Sequence, residues 1–191
     1  MRFLFLFLIP VFTLHGSPDP GLTELEKKTV ESGNIAVRLE RDESSTTGKF
    51  LIVGYVNAPV DDIWTLITTK ARHSELYPEV KKHEITDING NVEEHYYVFD
   101  YPWPFDDRWL VTHLIKDKSK YQITWVRKDG TIKESKGSWS FISVGPKKTL
   151  IVYRVQIDPG ISVLPDWFIR WGTGYAAPKV ILRIREVLKA N

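Results

Sequence analysis

The long stretch from Val80 to Asp158 carries no helical period, and this constrains the chain more than anything else in its sequence. Short β-rich runs succeed one another instead: Val80–Ile88, Val92–Tyr101, Arg108–Lys116, Tyr121–Lys128, Ile132–Ser143 and Thr149–Asp158. Valine, isoleucine, threonine and aromatic residues fill them, as a pleated, half-buried surface requires. Turn signals separate them: Asn89-Gly90 and Asp129-Gly130 read as hairpin dipeptides, and Gly145-Pro146-Lys147 as a third turn. Connections this short join antiparallel neighbours, because a parallel crossover needs a dozen residues or more. An antiparallel meander is therefore expected.

The segment after the meander is its opposite. Asp158-Pro159-Gly160 breaks the last strand, and Leu164-Pro165-Asp166 opens a helix of about 25 residues, well above the usual length. Leu164, Trp167, Phe168, Trp171, Tyr175, Pro178, Ile181 and Leu182 form its apolar stripe. Pro178 lies inside it and predicts a kink, and Arg183, Arg185 and Lys189 place positive charge at its C-terminal end. Before the meander, a short helix starts at Asp19-Pro20 or at the capping box Thr23-x-x-Glu26, with Leu22 and Leu25 as a thin apolar side, and ends near Gly33-Asn34. Strands are expected at Ile35–Glu40 and Lys49–Asn57, then a helix after Ala58-Pro59 with Val60, Ile63, Trp64 and Ile67 on one face, and a further turn through Ala71–Leu76. The order is helix, two strands, short helices, six strands, long helix. A curved antiparallel sheet with one long amphipathic helix across it can stay apart from that helix at one end and enclose an apolar cavity, an α+β architecture.

The first residues are of another kind. Met1-Arg2 is a short positive start, and Phe3–Leu14 is apolar except for Pro10 and Thr13. A bilayer span needs about 20 apolar residues in a helix, so this run fits a secretory signal over residues 1–17, with Gly16 and Ser17 at the cleavage point. A retained anchor or a packed strand is the alternative. Residues 18–191 then form one domain, and a periplasmic or secreted location is expected. The chain has no Cys, which excludes disulfides, thiolate metal sites and a Cys nucleophile, and suits an oxidising compartment. Its 26 basic and 24 acidic residues give a formal charge of +2, which makes no field for nucleic acid.

Three stretches together resemble the START-type lipid-binding domains of the helix-grip (Bet v 1-like, SRPBCC) superfamily. They are Val56–Trp64 (VNAPVDDIW) with Tyr77-Pro78-Glu79-Val80 after it, Pro102–Val111 (PWPFDDRWLV), and Val155–Gly160 (VQIDPG) followed by Leu164–Phe168 (LPDWF) and Pro178. The likeness runs from about Gly33 to the end of the chain. It implies a helix-grip fold and a cavity for one hydrophobic ligand (lipid, sterol-like or quinone-like), closed by the C-terminal helix and nearby loops. The family usually has Asp after the motif Arg; here Trp109 follows Arg108, and Asp106 and Asp107 precede it, so no residue of this chain matches that Asp.

On this reading Tyr101–Phe105 is a Pro-stiffened gate, with Trp103 and Phe105 making transient membrane contact; packing of both rings beneath the loop is the alternative. Arg108 would stand in the cavity mouth and hold a ligand's polar head, or form a salt bridge with Asp106, Asp107, Glu93 or Glu94. Trp167, Trp171 and Tyr175 on the long helix, and Tyr97, Phe99 and Trp125 on central strands, are the other candidate ligand contacts. Strand period puts Tyr97 and Phe99 on one face, and Tyr96 and Val98 compete for the inside. No catalytic, metal or cofactor site is expected. His73, His83, His95 and His113 are scattered without zinc spacing, and Gly137–Ser140 is not a nucleophile elbow. If the chain were an enzyme of this fold, of cyclase or hydrolase type, His95 or His113 with Glu93 would be the general base. An interaction module with a filled core is the third possibility. A monomer without a nucleic-acid partner is expected.

Overall fold

The computed structural model describes residues 20–69, 76–77 and 79–189. The segment read as a signal, Asp19 of the Asp19-Pro20 start, the Ala71–Leu76 turn apart from Leu76 itself, and His73 lie outside the described residues. Among those described, helix α1 (Glu24–Glu31) is followed by strands β1 (Ala36–Glu40) and β2 (Gly48–Val56) and helix α2 (Val60–Thr68). The meander is β3 (Val80–Asn89), β4 (Val92–Phe99), β5 (Arg108–Asp117), β6 (Gln122–Gly130), β7 (Glu134–Gly145) and β8 (Lys148–Asp158). The C-terminal helix comprises α3 (Asp166–Trp171), a π-helical turn (Gly172–Ala176) and α4 (Ala177–Lys189), running on without a break.

All eight strands join one antiparallel sheet in the order β1-β2-β8-β7-β6-β5-β4-β3. β2 pairs with the last strand, β8, and β1 pairs with β2, so the N-terminal hairpin extends the far edge of the meander. The capping box at Thr23 starts α1: its hydroxyl accepts from Glu26 N–H, and the Glu26 carboxylate accepts from Thr23 N–H at 2.7 Å. Burial on α1 falls on Val30 and not on Leu25, which is exposed; Val30 packs with Val53, Leu150 and Val152 on the convex face of the sheet.

The concave face carries the main core. Ile52, Ile123, Trp139, Phe141 and Ile151 of the sheet meet Ile63, Trp64, Leu66 and Ile67 of α2 and Ile181, Ile184 and Val187 of α4. Helix α2 begins after Pro59 with Asp61 and Asp62 in its first turn, where the helix dipole favours acids. Asp129-Gly130 is not the expected two-residue hairpin. It ends β6 while still paired with β5, at a bulge where Val111 faces Asp129 and Thr112 faces Arg127. Gly130 is required there, at φ 138°, because a Cβ would lie 2.4 Å from the Trp109 carbonyl oxygen.

The C-terminal helix explains a shift in the apolar stripe. Pro178 has no N–H to give to the carbonyl four residues earlier, and its ring crowds that carbonyl. The chain answers by widening one turn, in which Ala177 N–H bonds to Gly172 O, rather than by breaking. One extra residue in that turn moves the inward face on by one position. Ala176, Ala177 and Val180 therefore face inward, and Tyr175 and Leu182 are exposed.

Candidate functional site

Between the concave face and the C-terminal helix lies a cavity of about 320 Å³. Strand alternation supplies one wall from each strand: Phe50 and Ile52 of β2, Tyr97 and Phe99 of β4, Leu110, Thr112 and Leu114 of β5, and Tyr153, Val155 and Ile157 of β8. Phe168, Ile169, Trp171 and Val180 close it from the helix side. The size suits a small ligand pocket with apolar walls and a few polar groups. An open interior of this kind counts against a filled core.

The structure brings four of the expected ligand contacts onto the wall: Tyr97, Phe99, Trp125 and Trp171. The competition on β4 is thereby decided, since Tyr96 faces outward and meets Trp109 with ring centroids 6.1 Å apart. Trp125 lies flat against β7 because its partner there is Gly137, where a Cβ would come within 2.6 Å of the indole ring. Its Nε1–H donates to Ser135 Oγ at 3.1 Å.

Three expected contacts are elsewhere. Tyr175 is turned outward by the π turn, and its hydroxyl meets Lys179 Nζ at 2.6 Å. Trp167 stands a helical step away from Phe168 and stacks on Phe105, with centroids 5.6 Å apart. Arg108 shares the inward face of β5 but lies at the strand's start, beside the loop and off the cavity wall. It donates through Nη1 to Asp106 O at 3.3 Å, and its Nε is buried without a partner. The acids beside it are taken by Lys81, which bridges Asp107 at 2.9 Å and Asp100 at 3.0 Å.

The loop Tyr101–Phe105 divides its rings. Trp103 is 90% exposed, whereas Phe105 packs against Trp167 and edge-on against Phe168. Tyr101 completes the cluster, 5.5 Å from Phe168 and 6.5 Å from Trp171 between centroids. This aromatic stack joins loop to helix over one end of the cavity.

The opposite end, beside α2, is polar. His95 is wholly buried, and its Nε2 lies 2.8 Å from Glu93 Oε2. Lys116 Nζ bonds both oxygens of Glu93, at 2.8 and 2.7 Å. Burial raises the Glu93 carboxyl, but the hydrogen bonds from Lys116 and His95 outweigh it and hold the carboxyl below its usual range. An ionised Glu93 only accepts, so His95 Nε2 carries the proton of that bond. His95 Nδ1 then faces the Tyr97 hydroxyl at 3.0 Å and His83 Nε2 at 2.9 Å. His83 and His95 meet because β3 and β4 are paired, a neighbourhood their sequence spacing hides. His113 is exposed on the outer face beside Glu94, at 3.3 Å, and lies apart from the cavity. Burial pushes the hydroxyls of Tyr77, Tyr97, Tyr101 and Tyr153 to higher pKa, so all four stay protonated lining groups.

Sequence reasoning missed Tyr77, Thr112, Trp139, Tyr153 and Phe168 as wall residues. Alternation within β8 and β7 marks Tyr153 and Trp139 once one inward residue of the sheet is known. Thr112 carries no such signal.

Residues 56–184, more than half of the chain, match the family model described as polyketide cyclase / dehydrase and lipid transport. The chain belongs to that family. Its fold is that of the START-type helix-grip superfamily, as the resemblance implied. The structure is similar to the STAR-related lipid transfer protein from Xanthomonas axonopodis, with TM-score 0.66 and 20% identity over 81% of this chain and 93% of that one. It is similar to human STARD10, with TM-score 0.66 and 18% identity over 80% and 68% of the two chains. The Zhui aromatase/cyclase from Streptomyces is similar at TM-score 0.53 and 15% identity, over 75% and 83%. A comparison of the sequence with curated proteins gives no match. These structural likenesses carry the fold. As a member of the family, the chain is a START/SRPBCC ligand-binding domain.

Proposed function

We propose that this protein binds one lipid or other hydrophobic small molecule in its cavity and carries or senses it as an exported monomer. The supporting observation is the cavity itself, whose walls are chiefly aliphatic and aromatic. Burial of an apolar ligand there gains about 25 cal/mol per Å², before the cost of lost ligand freedom. Residues 1–17 act as the export signal, and residues 18–191 as the binding domain. Trp103, exposed at the tip of the loop, makes transient contact with membrane. No helix among the described residues is long and apolar enough to cross a membrane.

Native mass spectrometry of the exported, purified protein tests this, followed by organic extraction. A stoichiometric hydrophobic adduct on a monomer whose mass lacks the signal is the expected result. A full-length mass counts against removal of residues 1–17 as a cleaved signal, and an empty protein that takes up no lipid from vesicles counts against the carrier.

The buried contact between His95 and Glu93 favours a second reading, a small-molecule enzyme of the same fold. It differs in one measurable way. A ligand released chemically altered, with alteration lost in His95→Gln while binding persists, would establish catalysis.

A further inference from the structure

The polar end of the cavity contains a hydroxyl that the protein leaves unused. Thr112 is 2% exposed and lies on the cavity wall, yet its Oγ1 has no hydrogen-bond partner. Among the described residues only two other buried side-chain atoms share this state, Arg38 Nε and Arg108 Nε, and neither residue lines the cavity. Buried polar groups are nearly always paired, so an orphan facing an open volume points to something that enters that volume. The local backbone is irregular at the same place: the bulge in β6 lies opposite Val111 and Thr112, and bulges recur where a strand re-aims its side chains beside functional sites.

The surroundings say what can enter. Thr112 is paired across the sheet with His95 and flanked on its own face by Leu110 and Leu114. Three charged groups on the wall already have counter-charges: Lys116 with Glu93 at 2.7 Å, Glu79 with Lys179 at 2.7 Å, and Asp100 with Lys81 at 3.0 Å. No charge is left over beside Thr112 for a carboxylate or phosphate, and a buried ion without a partner is costly. Arg41 also lines the cavity, but in the loop between β1 and β2, where it donates to Ser45 O at 3.0 Å.

We propose that Thr112 donates its hydroxyl proton to a neutral oxygen of the ligand, and that the ligand is an uncharged amphiphile, a long-chain or polycyclic alcohol, ketone or ester, with that oxygen buried at the polar end. This rests on the cavity being a ligand site, as proposed above. A fatty-acid anion or a phosphorylated head does not fit at Thr112.

The test uses four probes with one chain length: 1-dodecanol, 2-dodecanone, dodecane and dodecanoate. Each is titrated at pH 8 into the purified protein and followed by quenching of the cavity tryptophans. The alcohol and the ketone bind best. Thr112→Val weakens both by about fivefold, the worth of one hydrogen bond, and leaves dodecane unchanged. Thr112→Ser, which keeps the hydroxyl, retains most of the preference. Equal losses for dodecane and dodecanol, or unchanged binding in Thr112→Val, overturn the role of Thr112. Tightest binding of dodecanoate, abolished by Arg41→Gln, overturns it in favour of an anionic head at the loop end. If the wild type binds none of the four, the ligand-site reading fails first and this one with it.

Discussion

At the α2 end of the cavity the walls are tied by hydrogen bonds between polar and charged groups, whereas at the loop end they are tied by a cluster of stacked, tilted and edge-on aromatic rings. Glu93, His95, Lys116 and Tyr97 hold one another at 2.7 to 3.0 Å on two adjacent strands of one sheet. Tyr101, Phe105, Trp167, Phe168 and Trp171 join a loop to a helix, with ring centroids 5.2 to 6.5 Å apart. Hydrogen bonds have narrow distance and angle limits, so displacement at the first end leaves buried groups unpaired. Ring stacks tolerate sliding, because dispersion and burial depend weakly on registry. The molecule thus has an end suited to recognition and an end suited to opening. The π turn lies at the second, where the helix already departs from regular hydrogen bonding.

The largest effect is expected where the stack has its centre. Phe168 touches Tyr101, Phe105, Trp167 and Trp171 and is 8% exposed. Phe168→Ala should lower the unfolding free energy by about 3 kcal/mol, read from urea denaturation. It should also speed exit of a bound alcohol from the cavity. If exit is unchanged, the stack does not close the cavity, and the contrast between the ends collapses.

A smaller loss, about 2 kcal/mol, is expected from His95→Leu, which fills the space but removes the hydrogen bonds of His95 to Glu93, the Tyr97 hydroxyl and His83. Exit rates should hardly change, because the loop end is untouched. Acid separates the ends further. The Glu93 carboxyl is held below its unfolded pKa, so its contribution is fully present above the ordinary carboxylate range and is lost as pH falls through the folded value. Stability should therefore decline on acidification, and Glu93→Gln should flatten that decline while leaving the aromatic end intact. Salt gives a control. Glu94, held at about 2 chiefly by its hydrogen bond from exposed Lys128, is a surface pair that 1 M NaCl should weaken, as a rise in its pKa followed by NMR. The more enclosed Glu93–Lys116 pair should respond less.

How much of this was legible in the sequence differs between the same two ends. The strands were legible because alternation and turn residues are local, and so was the helix after Asp166. The aromatic end was half legible. Its loop and the helix residues Trp167 and Trp171 were identified, but Phe168 at its centre was not, and a π turn, which shifts the face of a helix by one residue, moved Tyr175 out of the site. No period in the sequence announces such a turn; Pro178 marks the place without giving the remedy. The polar end was hidden. His83 and His95 lie twelve positions apart, and only the pairing of β3 with β4 makes them neighbours. Thr112 was invisible for another reason: a missing partner is a property of packing and leaves no trace in residue order.

The smallest stability effect and the sharpest functional one belong to Trp103. Its side chain is 90% exposed, so Trp103→Asp should change the unfolding free energy by no more than about 0.5 kcal/mol. Nothing in the cavity wall depends on it. Exchange of a bound alcohol with lipid vesicles should slow nevertheless, because an interfacial tryptophan is replaced by a charge that the headgroup region rejects. Affinity for the same alcohol in solution should stay as in the wild type. Exchange and solution affinity falling in proportion would mean that Trp103 acts through the cavity, and the loop would then be a wall and not a gate. Unchanged exchange would move membrane contact to the other exposed apolar side chains near the mouth, Val163 and Trp167. In each case the polar end should be unaffected, since its hydrogen bonds run among β3, β4 and β5 and stop short of the loop tip.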